Sequence, residues 1–424
     1  MPRDAPPGAW VRIFLPFALG YYLSYLLRTV NAVISPALTN ELGLSAAQLG
    51  LLTSMYFLAF GLAQIPVGIA LDRYGPRRVE SALLLVTALG SVLFALGDSI
   101  ASLGLARALI GMGVSACLMG ALKGLALWYP PERQSSMTGF IMASGAMGAL
   151  TASAPLELMM PLVGWRGVFW GIAVVAVIAA STLARSLPRE ESAGGHADMG
   201  AVLRSVRAIF VAPAFLRFVG SSLFFVGGFM ALQSLWAVPW LMEVEGLDLA
   251  ATARMLLLLN FGMLVGQLSI GLFGVRLVRR GVEPLRLLHF GYAGLLLVQA
   301  AIVFGVGPVA VKWFLLGALS AVNSQVYLAS ASHFPREMFG RISTSINLMA
   351  FAGAFVVQWG IGLVLDLLHA HAWTMPAALR LAFAVLLVLQ FISFLPLLPR
   401  PWLGGRLARW RRRARPQAPG ADQG

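Results

Sequence analysis

The chain has 424 residues, 59% hydrophobic and only 11% charged, with a formal net charge of +14 and a mean hydropathy of +0.81. Soluble domains carry about 25% charged residues, so this composition excludes an ordinary soluble enzyme and describes an integral membrane protein. The apolar stretches are continuous rather than alternating. They read as helices and exclude an outer-membrane barrel, since backbone polar groups in lipid must be satisfied within a helix or a closed sheet.

A helix needs about 20 apolar residues to span the hydrocarbon core, and twelve such runs are expected. Six lie near 12–38, 47–71, 79–97, 101–127, 136–160 and 165–185; six more lie near 213–242, 250–274, 286–306, 309–332, 341–367 and 376–398. The fold expected is an all-α membrane protein of twelve transmembrane helices in two pseudo-symmetric six-helix bundles, residues 1–185 and 213–398. A cytoplasmic linker over 186–212 joins them, and a basic tail over 399–424 follows. The first run is too long for a signal peptide and no small-residue cleavage site follows it.

The first run contains "YYLSYLLRTVNAVISP" (Tyr21–Pro36), with Arg28 deep inside. A mid-helix arginine costs about 2.5–3.5 kcal/mol on insertion scales and usually faces a cavity or a partner. Its helical neighbours are Tyr21, Ser24, Tyr25, Asn31 and Ser35, a polar and aromatic stripe that a snorkelling arginine does not need. These residues are expected to face a substrate cavity. Between the second and third runs stands "GIALDRYGPRR" (Gly68–Arg78). There Gly75 permits a tight turn, and Gly68 is expected to let the second helix approach a neighbour closely.

The fourth run carries Arg107 and Lys123 near opposite ends, in structural or gating positions, and the single Cys117 as a small packing residue. Glu157, near the end of the fifth run, reads as a cap or outer-gate residue, as does Asp366 in the eleventh. The seventh run presents Phe229, Gln233, Trp236 and Trp240 at helical spacing, and the tenth presents Ser320, Asn323, Ser324 and Tyr327 on one face. Asn260, Asn347 and Gln358 are lesser cavity candidates, because buried amides between helices are commonly interhelical hydrogen bonds.

The charge distribution sets orientation. With both termini inside, 25 of the 31 Lys and Arg fall on cytoplasmic segments, the positive-inside bias of a multi-pass protein of a bacterial-type inner membrane. The tail "RLARWRRRARP" is then a contact for anionic inner-leaflet lipid rather than for nucleic acid. All 17 acidic residues can be placed at loops or helix ends and none mid-membrane in the first, fourth, seventh or tenth run, which disfavours coupling through a buried carboxylate. His196, His289, His333, His369 and His371 are scattered, and no metal cluster, catalytic triad or phosphate-binding glycine loop is seen; no enzyme activity and no cofactor are expected.

The halves repeat at nearly one offset. "QIPVGIALDR" (Gln64–Arg73) aligns with "QLSIGLFGVR" (Gln267–Arg276), Arg107 with Lys312, Glu157 with Asp366, and Arg28 with Gln233. Internal repeats around a midplane site are how many transporters are built.

"GIALDRYGPRR" resembles the loop 2–3 signature of the major facilitator superfamily, G-x-x-x-D-R-x-G-R-R, with Pro76 pushing Arg77 and Arg78 one place on. "RALIGMG" (Arg107–Gly113) and "GWRGVFW" (Gly164–Trp170) resemble that family's helix 4 and helix 6 signatures. The resemblance implies that Gly68, Asp72, Arg73, Gly75, Arg77 and Arg78 hold one face of the molecule closed during the cycle. Val275 stands where the second half would have the aspartate. "YLLRTVNAVISPAL" resembles helix 1 of the organophosphate and anion-transporting branches, where an arginine at this place binds the anionic group of the substrate. Gln233 replaces the second arginine of the organophosphate branch. The expectation is a monomeric secondary active transporter for a small organic anion, carboxylate-like, coupled to protons or to exchange. Transport of a neutral or amphipathic compound, or a transport-incompetent sensor, are the alternatives.

Overall fold

The computed structural model of the chain describes Gly8 and residues 10–187, 207–280, 283–335 and 338–398, without the side chains of 131, 132, 135 and 274–279. The predicted linker lies largely, and the predicted basic tail and its lipid contact wholly, outside the described residues; so does the environment of Val275. Among the described residues there is no strand. Ten helices are long and apolar enough to cross a membrane. One of them, Ala46–Leu96, has 51 residues and turns at Gly75, whose φ of 77° and ψ of 161° suit only glycine. At 1.5 Å per residue it would be over twice the length of a bilayer core, so it is two crossings. Another, Ala154–Ser186, is broken at Gly164 (φ 63°, ψ 173°), and its first residues complete the crossing begun at Pro131–Thr151.

The twelve crossings are α1 (Trp10–Leu42), α2 (46–74), α3 (76–96), α4 (Ile100–Trp128), α5 (131–163), α6 (165–186), α7 (Pro213–Glu243), α8 (Leu249–Arg279), α9 (Pro284–Val303), α10 (Val309–Ala331), α11 (Phe339–Ala370) and α12 (Met375–Leu397). The face where α6 ends and α7 begins is called the linker face here, and the opposite one the far face. The fifth crossing starts earlier than the predicted 136 and is interrupted at Ala152 and Ser153. Asn260 of α8 inserts there, donating to Ala149 O at 3.1 Å and Ser153 Oγ at 2.8 Å. Such an inserted side chain is a recognised cause of helix breaks.

The two halves share more than sequence. In α4 the helix is interrupted between Gly113 and Cys117, and in α10 a 3-10 turn occupies the corresponding Ala321–Ser324. Helices in lipid associate through close backbone approach at small residues, and the same glycine contacts occur twice. A Cβ on Gly111 of α4 would stand 2.2 Å from the Tyr56 carbonyl oxygen of α2, and one on Gly317 of α10 would stand 1.9 Å from that of Leu259 of α8. A Cβ on Gly148 of α5 would stand 2.2 Å from the Tyr22 carbonyl oxygen, and one on Gly353 of α11 would stand 2.1 Å from that of Leu223.

Between the halves the approach is graded. Along α2 and α11, a Cβ on Gly362 would lie 2.4 Å from Ala46 O, on Gly50 2.8 Å from Gln358 O, and on Gly61 3.2 Å from Phe351 Cβ. At Gly68, nearest the linker face, nothing lies within 4 Å. The expectation of close packing at Gly68 is thereby overturned. The two helices meet on the far face and diverge toward the linker face, and Gly68 stands in the gap. Gly139 of α5 and Gly271 of α8 likewise meet open space.

Gly317→Val should lower the thermal unfolding temperature of the detergent-purified protein, because the carbonyl of Leu259 must move. Overpacking of this kind costs about 1–3 kcal/mol. Gly271→Val, facing open space, should leave the unfolding temperature close to that of the wild type.

Candidate functional site

The divergence of the halves leaves a cavity of about 590 Å³ reaching from Arg28 to Gly340 near the linker face. On α1, Tyr21, Tyr25 and Arg28 fall on one helical face and line it. Gln233 of α7 and Asn323 and Tyr327 of α10 line the opposite wall. Among the described residues Arg28 is the one charged residue in the lining. Its guanidinium carbon lies 4.4 Å from the ring centroid of Tyr25, 5.5 Å from that of Phe351 and 5.8 Å from that of Phe60. Phe60 and Phe351 are themselves stacked, with centroids 4.1 Å apart, so the cage bridges the two halves. Cation–π contacts of this kind contribute about 0.5–2 kcal/mol each, which offsets part of the insertion cost without neutralising the charge. Among the described residues no carboxylate pairs with Arg28, and its buried Nε has no hydrogen-bond partner.

The remaining cavity polar groups are mostly engaged. Tyr327 donates to Asn347 Oδ1 at 3.1 Å, and Asn347 donates across the halves to Gln64 Oε1 at 3.2 Å. Gln233 donates to Asn260 Oδ1 at 2.6 Å. Asn323 differs, because its Oδ1 is buried with no partner. The wall between these groups is apolar, with Phe229 and four methionines, Met119, Met142, Met230 and Met263.

Ser24, Asn31, Ser35 and Trp236, expected in the cavity, do not line it, nor do the lesser candidates Asn260 and Gln358. Ser24 and Asn31 are buried elsewhere, and the backbone carbonyl of Ser24 accepts from the Tyr56 hydroxyl at 3.1 Å. At about 100° per residue, Asn31 lies about 120° around the helix from Tyr25, so the polar stripe is wider than the face the cavity reaches. Trp236 donates its indole N–H to Gln358 O at 2.9 Å and lines a separate far-face pocket of about 300 Å³.

The far face is fastened between the halves. Asp366 of α11 accepts from Ser45 Oγ at 2.6 Å and from the backbone N–H groups of Ala46 and Ala47 at 3.0 and 3.1 Å. These are orphan donors at the start of α2, where the helix dipole also favours a carboxylate. Gln358 donates to Thr53 and accepts from Ser234 at 2.9 Å. Glu157, the expected counterpart of Asp366, makes no ion pair among the described residues. The first half uses Glu41 instead, which pairs with Arg166 and accepts from the Trp165 indole at 2.7 Å.

At the linker face the contacts of the glycine–aspartate–arginine segment among the described residues are to its own half. Asp72 pairs with Lys123 of α4 at 2.8 Å, Lys123 also donates to Leu71 O at 2.7 Å, and Arg77 donates to Ala184 O at the end of α6. Arg73 lies over the Tyr74 ring, 5.2 Å from its centroid, and no contact of Arg78 to the second half is found among the described residues. Arg107, expected near an interface, is fully buried; it donates to Leu27 O at 3.0 Å and lies over Tyr56. Its counterpart Lys312 pairs with Glu245 at 3.2 Å.

Glu80, one turn into α3, keeps the expected place at a helix end, yet it is completely buried, and both its carboxyl oxygens lack partners among the described residues. Its sequence position beside a charged loop suggested an interfacial residue; only the packing of α1 and α4 over it makes it internal. Glu41 and Glu245 were also overlooked. Their one signal was an acid near a predicted helix end in each half, at positions roughly equivalent under the repeat.

Comparisons with known proteins bear on this architecture. A family model described as the Major Facilitator Superfamily matches residues 17–358. A probable L-galactonate transporter of Escherichia coli is 32% identical over 160 residues, which is 37% of this chain and 35% of that protein. A probable sulfoacetate transporter of Cupriavidus necator is 24% identical over 367 residues, covering 80% of this chain and 84% of that one. Among solved structures, a bacterial homologue of the human lysosomal transporter Spinster superposes with a TM-score of 0.73 at 18% identity, over 96% of this chain and 98% of that one.

Asp366→Ala should lower thermal stability by about 1–3 kcal/mol, because it leaves the N–H groups of Ala46 and Ala47 unsatisfied at a helix junction. Asp366→Asn, which keeps an acceptor oxygen, should lose less. Unfolding of the three proteins in detergent checks the order.

Proposed function

The chain belongs to the major facilitator superfamily, and from that premise we propose that it is a secondary active transporter for a small organic anion of carboxylate type. The observation that carries the reading is Arg28: among the described residues the only charged one lining the central cavity, caged by aromatic faces and paired with no carboxylate. A guanidinium presents paired N–H donors that match a carboxylate in bidentate geometry. Asn323, with its buried unpartnered oxygen, offers a hydroxyl of the substrate an acceptor. Gln233 in place of a second arginine favours a single anionic group, and the relatives named for L-galactonate and sulfoacetate handle anions of small size.

The cavity opens toward the linker face while the far face is fastened through Asp366 and Gln358, which supports alternating access with Asp366 in the far-face gate. In the same reading both termini are cytoplasmic in an inner membrane. The two six-helix halves, residues 1–185 and 213–398, rock against each other as a monomer, coupled to protons or to exchange. The segment from Gly68 to Arg78 serves the linker-face gate, which stands open here. A second reading, transport of an amphipathic compound, draws on the four cavity methionines, which suit a greasy ligand.

Purified protein in proteoliposomes should take up an anion from a panel of L-galactonate, sulfoacetate, inorganic phosphate and nitrate, with a carboxylate preferred. Arg28→Gln should weaken its apparent affinity about 10- to 100-fold, the loss expected for a charged hydrogen-bonded pair. Uptake that survives Arg28→Gln intact overturns the anchor. Flux of neutral amphipaths alone favours the second reading, and binding without flux favours a sensor.

A further inference from the structure

Glu80 belongs to neither the cavity lining nor the fastenings at the two faces. The space it occupies is shaped by two glycines. A Cβ on Gly120 of α4 would stand 2.2 Å from Oε2, and one on Gly20 of α1 would stand 2.7 Å from Oε1. Both positions therefore hold the carboxyl by lacking a side chain. Cys117 Sγ of α4 lies 3.6 Å from the same Gly20 position.

The charged and titratable groups on the surrounding helices are occupied elsewhere. On α4, Lys123 is bound to Asp72 and Leu71 O. On α1, the Tyr21 hydroxyl donates to Met142 Sδ at 3.6 Å, and Arg28 lies in its aromatic cage. On α3 itself, Arg77 is bound to Ala184 O. A carboxylate ion with no partner in a buried helix seam costs several kcal/mol, so the form that fits is the neutral acid. The helices covering it are cavity walls. Tyr21 and Met119, the chain neighbours of Gly20 and Gly120, both line the cavity.

We propose that Glu80 is the proton-carrying site of the transport cycle. It holds its proton in the arrangement seen here. When α1 and α4 shift and cavity water reaches the seam, the O–H bond breaks, the proton passes to water and the electron pair stays on the carboxylate. This rests on the transporter reading above and names the coupling ion that reading leaves open.

The test has a substrate-independent arm and a flux arm. Infrared spectra of the full-length protein in lipid at neutral pH should show the C=O stretch of a neutral carboxylic acid that is lost in Glu80→Gln. If Glu80→Gln does not fold, Glu80→Asp should keep the band at a shifted frequency. In proteoliposomes, with whichever panel anion the wild type accumulates, an imposed pH gradient should drive accumulation at least tenfold less well in Glu80→Gln. Anion-for-anion exchange, which needs no net proton movement, should be far less affected. Absence of the band, or pH-driven accumulation in Glu80→Gln equal to wild type, overturns the proposal. Failure of the wild type to move any panel anion defeats the transport reading instead, and the band then still decides whether Glu80 holds a proton.

Discussion

Helices in lipid gain nothing from hydrophobic burial against one another, so this molecule depends on how closely its backbones can approach. The approach is made by glycine. Gly111 and Gly317 seat α4 and α10 on carbonyls of α2 and α8, and Gly148 and Gly353 seat α5 and α11 on carbonyls of α1 and α7. Each half is therefore rigid along the same pairs of helices. The contact between halves is of another kind. It is tightest at Gly362 and Gly50, still close at Gly61 and absent at Gly68. Two firm units that touch along only part of their length necessarily enclose a wedge, and the cavity is that wedge.

What fills the wedge follows from electrostatics. Arg28 stands where the halves begin to part, with Phe60 from α2 and Phe351 from α11 on the side that is still closed. Aromatic faces stabilise a cation but supply no counter-charge. The site is left with one unpaired positive charge at the apex and apolar walls beyond it. The low-dielectric walls strengthen whatever reaches the guanidinium, so the chemistry of the site is asymmetric. An anion gains most there, and a cation is repelled. Arg107, equally buried, is different in kind. It is closed off behind Tyr56 and bound to Leu27 O, so it holds α1 to α4 and does not line the central cavity.

Much of this was legible in the sequence, for physical reasons. Spanning helices announce themselves by length and hydropathy. The repeat aligns Arg107 with Lys312 and Glu157 with Asp366 by position. Arg107 nevertheless binds Leu27 O where Lys312 pairs with Glu245, and it is Asp366, not Glu157, that joins the halves. The stripe around Arg28 pointed to a cavity, yet Ser24 and Asn31 shared the stripe without sharing the cavity, because periodicity gives a direction and not the width of an opening. Phe60 and Phe351 were invisible, since an aromatic residue inside an apolar run carries no periodic signal. Gly68 was read as a packing glycine because close approach is the commonest use of glycine in membrane helices. Whether a neighbour is present there depends on where α11 diverges, which is a tertiary fact.

Glu80 shows the same limit in its sharpest form and ties the two ends of the molecule together. Its burial comes from α1 and α4 closing over it at Gly20 and Gly120, and both helices also carry cavity-lining residues. The proposed rocking of the halves needs α2 to meet α11 near Gly68, and α2 is joined to α3 through the turn at Gly75. A movement that closes the linker face therefore acts on the helix that bears Glu80, through a turn only five residues away. Asp72 and Lys123 link the same end of α2 to α4, the other wall of the acid's compartment. Gate and acid thus share their mechanical parts. On the proposed cycle, a proton held at Glu80 responds to the position of the gate without any contact between Glu80 and the substrate.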